Sequence, residues 1–135
     1  MNLDIFTLCD SAHVYDGNMV VVGAKNKIWV SELPQKIPSI SLVIRISDEK
    51  SFPGDKLKSL QIIAPSGHPL LDVNKFPGVE IEKDGAPIKV LDMNFVLENF
   101  PLKEEGIFRA IITFLDDREY TFSFFVCKKE TKNMD

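Results

Sequence analysis

The stretch that decides the fold reads IFRAIITFLDDREYTFSFFV, residues 107–126. It holds two runs of alternating side chains on either side of a polar turn at residues 116–119. Because successive side chains of a strand point to opposite faces, this period of two predicts a β-hairpin with one face on a core. The residues predicted to face that core are Phe108, Ala110, Ile112, Phe114, Tyr120, Phe122, Phe124 and Val126.

The opposite face of this hairpin is also apolar at four positions. These positions are Ile107, Ile111, Leu115 and Phe125. Because the solvent face of an antiparallel sheet is normally polar, we predict that they form an interface with another protein or with a second copy of the chain. The alternative is that the chain segment at residues 74–88 covers these four side chains, so that they belong to the core.

Turn residues divide the rest of the chain into short segments. The Asp16-Gly17-Asn18 turn predicts a hairpin between a first strand, Leu3 to Ser11 continuing toward Val14, and a returning strand, Met19 to Val30. Gly23 indicates a bulge or a close backbone approach within the returning strand. Further strands are predicted at residues 40–46, 56–64, 70–73, 79–81 and 89–99.

These segments predict an all-β fold, an antiparallel β-sandwich of about seven to nine strands with immunoglobulin-like architecture. We expect Pro34 and Pro38 to break the chain and Pro101 to end the strand at residues 89–99. With 135 residues, of which 44% are hydrophobic, the chain suffices for one domain with its own core. The predicted domain spans residues 1–127, and residues 128–135 form a charged tail that we expect to be flexible.

Charge and hydropathy exclude some classes of partner. The formal net charge is −4, with a pI near 5.2, whereas nucleic-acid binding draws its affinity from concentrated Lys and Arg. No apolar run approaches the roughly 18–20 residues of a membrane span, and residues 1–5 lack the basic start of a signal peptide. We therefore expect a cytoplasmic protein with neither a nucleic-acid nor a membrane partner.

The segment Leu8-Cys9-Asp10-Ser11-Ala12-His13 collects residue types that serve nucleophilic catalysis. In one extended strand, however, Cys9 and His13 would lie about 13 Å apart, too far for a proton transfer. Free cysteines are often buried, so Cys9 and Cys127 are expected to be structural. No metal-ligand spacing joins them to His13 and His68, and we predict no metal site, no cofactor and no enzymatic activity.

Several short motifs carry a resemblance to a known group of proteins. They are Leu8-Cys9-Asp10-Ser11-Ala12 before Gly17, then Val20-Val21-Val22-Gly23, and later Phe100-Pro101-Leu102 before Gly106-Ile107-Phe108. With these motifs the chain resembles, over most of its length, an uncharacterised family of short bacterial single-domain proteins. The last hairpin also resembles immunoglobulin-like sandwiches, which is an analogy of fold and not of function. The resemblance implies a β-sandwich and transfers no catalytic or binding residue.

The function that we expect is a non-catalytic binding or assembly module that acts through the outward face of the last hairpin. Two alternatives stay open: a carrier of a small apolar ligand between the sheets, and a thiol-dependent hydrolase that uses Cys9. Trp29 and Tyr15 are further candidates for a partner surface, because aromatic side chains carry much of the energy of interfaces.

Overall fold

A computed structural model describes residues 1–50, 53–76 and 87–129 of the chain. These residues form ten β-strands and a short 3₁₀ helix at Pro53–Lys56, and they contain no α-helix. The all-β class is therefore confirmed. The strands are β1 (Asn2–Cys9), β2 (Ser11–Tyr15), β3 (Asn18–Val22), β4 (Lys27–Val30), β5 (Gln35–Asp48), β6 (Leu57–Ile63), β7 (Pro69–Val73), β8 (Lys89–Leu102), β9 (Gly106–Phe114) and β10 (Glu119–Lys128).

Two sheets pack face to face. One has three strands in the order β1-β5-β8, and the other has five in the order β4-β10-β9-β6-β7. Their inward side chains form one hydrophobic core, to which β5 contributes Leu42 and Ile44 and the last hairpin contributes Phe108 and Phe124. Because side chains from both sheets fill this one core, the predicted β-sandwich is confirmed.

The hairpin of β9 and β10 lies at the centre of the five-stranded sheet, as its sequence pattern predicts. Phe108 and Phe124 are each 1% exposed, and their rings stack with centroids 5.2 Å apart. The connecting turn is closed by a hydrogen bond of 2.9 Å from the Phe114 N–H to the Arg118 carbonyl, with Asp117 at a φ of 68°. The eight residues predicted to face the core all belong to it, six of them buried and two, Tyr120 and Phe122, partly buried.

A two-stranded ribbon of β2 and β3 covers the outer side of the three-stranded sheet. Its turn is Asp16-Gly17, with positive φ at both residues, as an Asp-Gly hairpin turn requires. Arg45 on β5 donates one guanidinium hydrogen bond of 3.0 Å to the Gly17 carbonyl and holds Asp92 on β8 with two more. Beneath the ribbon lies a second small core, formed by Cys9, Ala12 and Val43 with Ile5, Met19 and Val21 against it.

The predicted returning strand from Met19 to Val30 is wrong, because it divides at Gly23. Gly23 has a φ of +70°, and a Cβ there would collide with the Oδ2 atom of Asp10. The expected close approach is therefore confirmed, but it ends the strand and does not merely bend it. The chain leaves the ribbon at Val22 and enters the edge of the five-stranded sheet at Lys27.

The first predicted strand divides in the same way, at Asp10. β1 ends at Cys9 inside the three-stranded sheet, and β2 begins at Ser11 in the ribbon. Two divided strands account for ten strands where the sequence predicts seven to nine. The division also exposes Val20 and Val22, which the uninterrupted pattern placed on the same face as the buried residues Ile28 and Val30.

Two prolines do not end strands, contrary to the sequence prediction. Pro38 lies within β5 and Pro101 within β8. β1 pairs with β5 only from Ser41 onward, so β5 has no strand beside Pro38 on that side, and β8 is an edge strand. Proline, which has no N–H to donate, is tolerated where a strand has an unpaired side.

The last strand ends one residue beyond the predicted domain boundary at residue 127. β10 runs to Lys128, and the Lys129 N–H donates a hydrogen bond of 2.7 Å to the Val30 carbonyl. Residues 130–135 of the predicted tail and the strand predicted at residues 79–81 lie outside the described residues. The single domain at residues 1–127 and the flexible tail stay predictions.

Candidate interaction surface

The outer face of the five-stranded sheet carries the residues that the sequence proposes as an interface. On β9 and β10 the strand register places Ile107 directly opposite Phe125 and Ile111 opposite Thr121. Ile107 is 45% exposed and Phe125 is 39% exposed, so no described element covers this pair. Two exposed apolar side chains thus face each other at the end where β9 begins and β10 ends.

The four predicted interface residues do not form one surface. Ile111 is four residues from Ile107, about 13 Å along the strand, and is half-buried between Thr121 on β10 and Gln61 on β6. Leu115 is 63% exposed, but it lies in the turn beyond β9, about 26 Å from Ile107 by strand length, where its N–H donates to the Lys56 carbonyl. The structure therefore joins Ile107 and Phe125 and separates the other two from them.

Trp29 completes the apolar end of the face. β4 pairs in parallel with β10, which sets Trp29 opposite Cys127 and Lys27 opposite Phe125. Because the buried residues of β4 alternate with Trp29, the Trp29 side chain points outward, and it is 59% exposed. We call the group of Trp29, Ile107, Phe125 and Cys127 the sheet-end patch.

The sequence singles out Trp29 as an aromatic candidate but does not place it beside the hairpin. A parallel pairing between a strand near the start of the chain and the last strand has no local turn signal. The other aromatic candidate, Tyr15, lies elsewhere: it is 76% exposed at the tip of the ribbon, beside the Asp16-Gly17 turn. The two aromatic residues therefore belong to different surfaces.

Cys9 has the environment of a structural thiol. It is fully buried beneath the ribbon, and its Sγ donates to the Ser11 carbonyl at 3.3 Å. Burial, together with the nearby charge of Asp10, raises the pKa of the Cys9 thiol. An activated cysteine needs the opposite conditions, namely exposure and a lowered pKa.

Asp10 lies at the junction between β1 and β2 and forms an ion pair. Its side chain is 60% exposed and accepts a hydrogen bond from the Lys25 ammonium group. Its own N–H donates to the Val22 carbonyl at 2.9 Å. Asp10 and Lys25 thus pair where the chain crosses between the ribbon and the sheets, and Asp10 remains a structural residue.

A buried carboxylate closes one end of the three-stranded sheet. Asp48, 6% exposed, accepts hydrogen bonds of 2.9 Å from the Lys50 main-chain N–H and from the Lys56 ammonium group. These two hydrogen bonds lower the pKa of Asp48 to about 2, and the one from the Lys50 N–H has the larger effect. Its acceptor sites are used internally, so Asp48 serves to fix the connection between β5 and β6.

Comparison with protein families places the chain in a group. A family model described as a family of unknown function, DUF6941, matches residues 4–126. The chain belongs to the DUF6941 family. The match confirms the resemblance to an uncharacterised family, and it includes all of every strand except the first two residues of β1 and the last two of β10. A search of curated proteins finds no match.

Most of the sheet-end patch of this DUF6941 chain lies within the matched region. Trp29, Ile107 and Phe125 fall within it, and Cys127 is the first residue beyond it. Across residues 1–50, 53–76 and 87–129 there is no group of three or more His, Cys, Asp or Glu residues placed to hold a metal ion. The same ranges contain no helix that is long and apolar enough to span a membrane.

Proposed function

We propose that the chain is a non-catalytic binding or assembly module that docks another protein through the sheet-end patch. The observation that carries this proposal is the exposure of Trp29, Ile107 and Phe125 side by side at one end of the outer sheet face. Clustered exposed apolar residues of this kind mark interaction sites, and Trp is the residue type most enriched among interface hot spots.

The size of the patch agrees with a central contact of an interface. A large aromatic side chain has roughly 150–250 Å² of surface, so the exposed parts of Trp29 and Phe125 together offer on the order of 200 Å². At about 25 cal/mol per Å², burying this area is worth about 5 kcal/mol before the costs of association. A partner that covers the patch and its polar surroundings would reach the size of a specific interface.

Several finer predictions accompany this proposal. We retain as predictions a cytoplasmic location, a bacterial origin and the immunoglobulin-like form of the sandwich, none of which the patch requires. The buried, raised-pKa thiol of Cys9 favours a binding role over the thiol-hydrolase alternative. Carriage of a small apolar ligand stays the second alternative.

The test compares Phe125→Glu with Leu115→Glu. Both replace an exposed apolar residue by a charge, but Phe125 belongs to the patch whereas Leu115 lies in the turn beyond β9. Each tagged variant is used for affinity capture from native lysate, and light scattering measures the mass of the recovered material. We expect the wild type and Leu115→Glu to retain the same partner or the same dimer mass, and Phe125→Glu to lose it while staying folded.

Two results would refute the proposal. If all three proteins are recovered alone with a monomer mass, the patch docks neither a second copy nor a partner. If Phe125→Glu retains the partner as well as Leu115→Glu does, the contact lies elsewhere. Circular dichroism of each variant is the control for folding.

A further inference from the structure

The edge strand beside the sheet-end patch has free main-chain groups. β4 is the outermost strand of the five-stranded sheet. The Asn26 and Val30 carbonyls accept hydrogen bonds of 2.8 Å and 2.7 Å from the N–H groups of Phe125 and Lys129, so the even-numbered residues point their main-chain groups toward β10. By strand alternation, the main-chain N–H and carbonyl groups of Lys27 and Trp29 point away from the sheet.

These outward groups have no partner within the described ranges. Lys27 and Trp29 together present two N–H donors and two carbonyl acceptors, and none of them takes part in a hydrogen bond with another described residue. An open edge of this kind is a template on which an extended segment of another chain pairs as an added strand. β4 therefore offers about four main-chain hydrogen bonds to such a segment.

A groove runs along this edge. It has a volume of about 370 Å³ and lies between β4 and the first residues of β5, with Trp29 and Lys27 on one wall and Ile37 and Pro38 on the other. Gln35 also lines it, and the Gln35 Oε1 atom is buried without a hydrogen-bond partner among the described residues.

The charge of the edge selects the occupant. Lys27 is exposed at the start of β4, Lys128 and Lys129 are exposed at the end of neighbouring β10, and within the described ranges none of the three forms an ion pair. Glu105 at the start of β9 is a nearby carboxylate, and one of its oxygens accepts the Lys128 N–H at 3.1 Å. This concentration of positive charge stands on a chain whose net charge is −4.

A second copy of this chain does not fit the edge well. Edge-to-edge pairing of two copies would bring Lys27 of each close to the lysines of the other, and lysine on an edge strand is a common means of preventing such pairing. Acidic side chains on an added strand would instead meet these lysines favourably. The cationic edge therefore favours a different, acidic polypeptide.

We propose that β4 binds an extended, acidic segment of a partner protein as an added sixth strand of the five-stranded sheet. The added strand makes main-chain hydrogen bonds to Lys27 and Trp29, sets its acidic side chains toward the lysines and lies beside the Trp29 ring. This inference rests on the proposed function, because it names the chemistry of the partner that the sheet-end patch also contacts.

The experiment selects peptides on the full chain. The immobilised wild-type protein is presented with a phage library of random dodecapeptides, and the most enriched peptide is then synthesised and titrated by fluorescence anisotropy. Three variants are titrated with it: Lys27→Pro, Lys27→Glu and the control Lys58→Glu. Proline removes an N–H that the sheet itself does not use, so the pairing with β10 is kept, and thermal unfolding monitors the fold. Lys58 is exposed on another strand and pairs with Asp117.

We expect enrichment of peptides with acidic residues at alternating positions. Their binding should weaken at least about tenfold with Lys27→Pro and with Lys27→Glu, and stay unchanged with Lys58→Glu. The proposal is overturned if no peptide is enriched, if the enriched peptides are not acidic, or if Lys27→Pro binds them as the wild type does. A wild-type dimer that Lys27→Pro converts to a monomer would also overturn it, since the occupant would then be a second copy.

The two proposals fail separately. If Phe125→Glu abolishes partner capture while Lys27→Pro leaves peptide binding unchanged, the patch is an interface and the edge is not. If Lys27→Pro abolishes peptide binding while Phe125→Glu leaves partner capture unchanged, the edge binds strands and the sheet-end patch plays no part.

Discussion

Phe124→Ala should destabilise the protein far more than Phe125→Ala, although the two residues are neighbours in sequence. Phe124 is 1% exposed and lies between the rings of Phe108 and Phe122, with centroids at 5.2 Å and 6.4 Å. A core Phe→Ala substitution costs about 3–5 kcal/mol, since it removes buried surface and leaves a cavity. Phe125 is 39% exposed on the other face, so its replacement leaves no cavity in the core and should cost about 1 kcal/mol.

Urea denaturation, followed by circular dichroism, measures this difference directly. With a denaturant dependence of about 2 kcal/mol per M, we expect Phe124→Ala to lower the midpoint by about 2 M and Phe125→Ala by about 0.5 M. Equal losses would contradict the reasoning, because they would mean that Phe125 is covered in the folded chain. The outer face of the hairpin would then be core, as the internal-burial alternative holds.

Three further predictions concern other parts of the fold. Gly23→Ala should destabilise the protein by about 1–3 kcal/mol, which is more than Gly17→Ala should. Both glycines have positive φ, but only a Cβ at Gly23 would collide with a neighbouring side chain. Thermal unfolding of the two variants compares their stabilities. Under native conditions a thiol reagent should label half-buried Cys127 and leave buried Cys9 unmodified, as mass spectrometry of the labelled peptides would show. The pKa of Asp48 is lowered to about 2 in the folded chain. The ionised carboxylate therefore stabilises the fold above about pH 4, and this stabilisation is lost as the pH falls toward 2. In Asp48→Asn the unfolding free energy should depend less on pH between these values.

The parts of the fold that the sequence predicts correctly are local ones. The β9–β10 hairpin follows from its alternation, because a short turn between two patterned runs leaves one pairing and one register. The β2–β3 turn follows equally from Asp16-Gly17, whose chemistry suits positive φ at both positions. In each case the contact and the signal lie within a few residues of each other.

The errors arise where distant contacts override a local pattern. The apolar pattern of residues 19–30 predicts one strand through Gly23, but the chain changes sheets there, where Gly23 has a positive φ and Asp10, from another part of the sequence, lies against it. Pro38 interrupts the pattern of β5 without ending it, since β1 does not reach that far along the strand. Neither contact is visible in the segment that it changes.

The candidate site was predicted only in part for the same reason. Phe125 and Ile107 face each other within one hairpin, so their proximity is local. Leu115 is also an odd-numbered residue, which the alternation assigns to the outward face, but it lies too far from Ile107 along the strand to belong to the patch. Trp29 reaches the patch through the parallel pairing of β4 with β10, between opposite ends of the chain, and no periodicity predicts such a pairing.

The most direct test of the central claim uses the single tryptophan of the chain, which lies in the sheet-end patch. Fluorotryptophan is incorporated at position 29 of the wild type and of Phe125→Glu. The single fluorine NMR signal of each protein is then recorded in buffer and in native lysate. If the patch docks a protein, the wild-type signal shifts or broadens in lysate and that of Phe125→Glu does so much less. The same change for both proteins, or none for the wild type, would contradict the claim that this patch is an interaction surface.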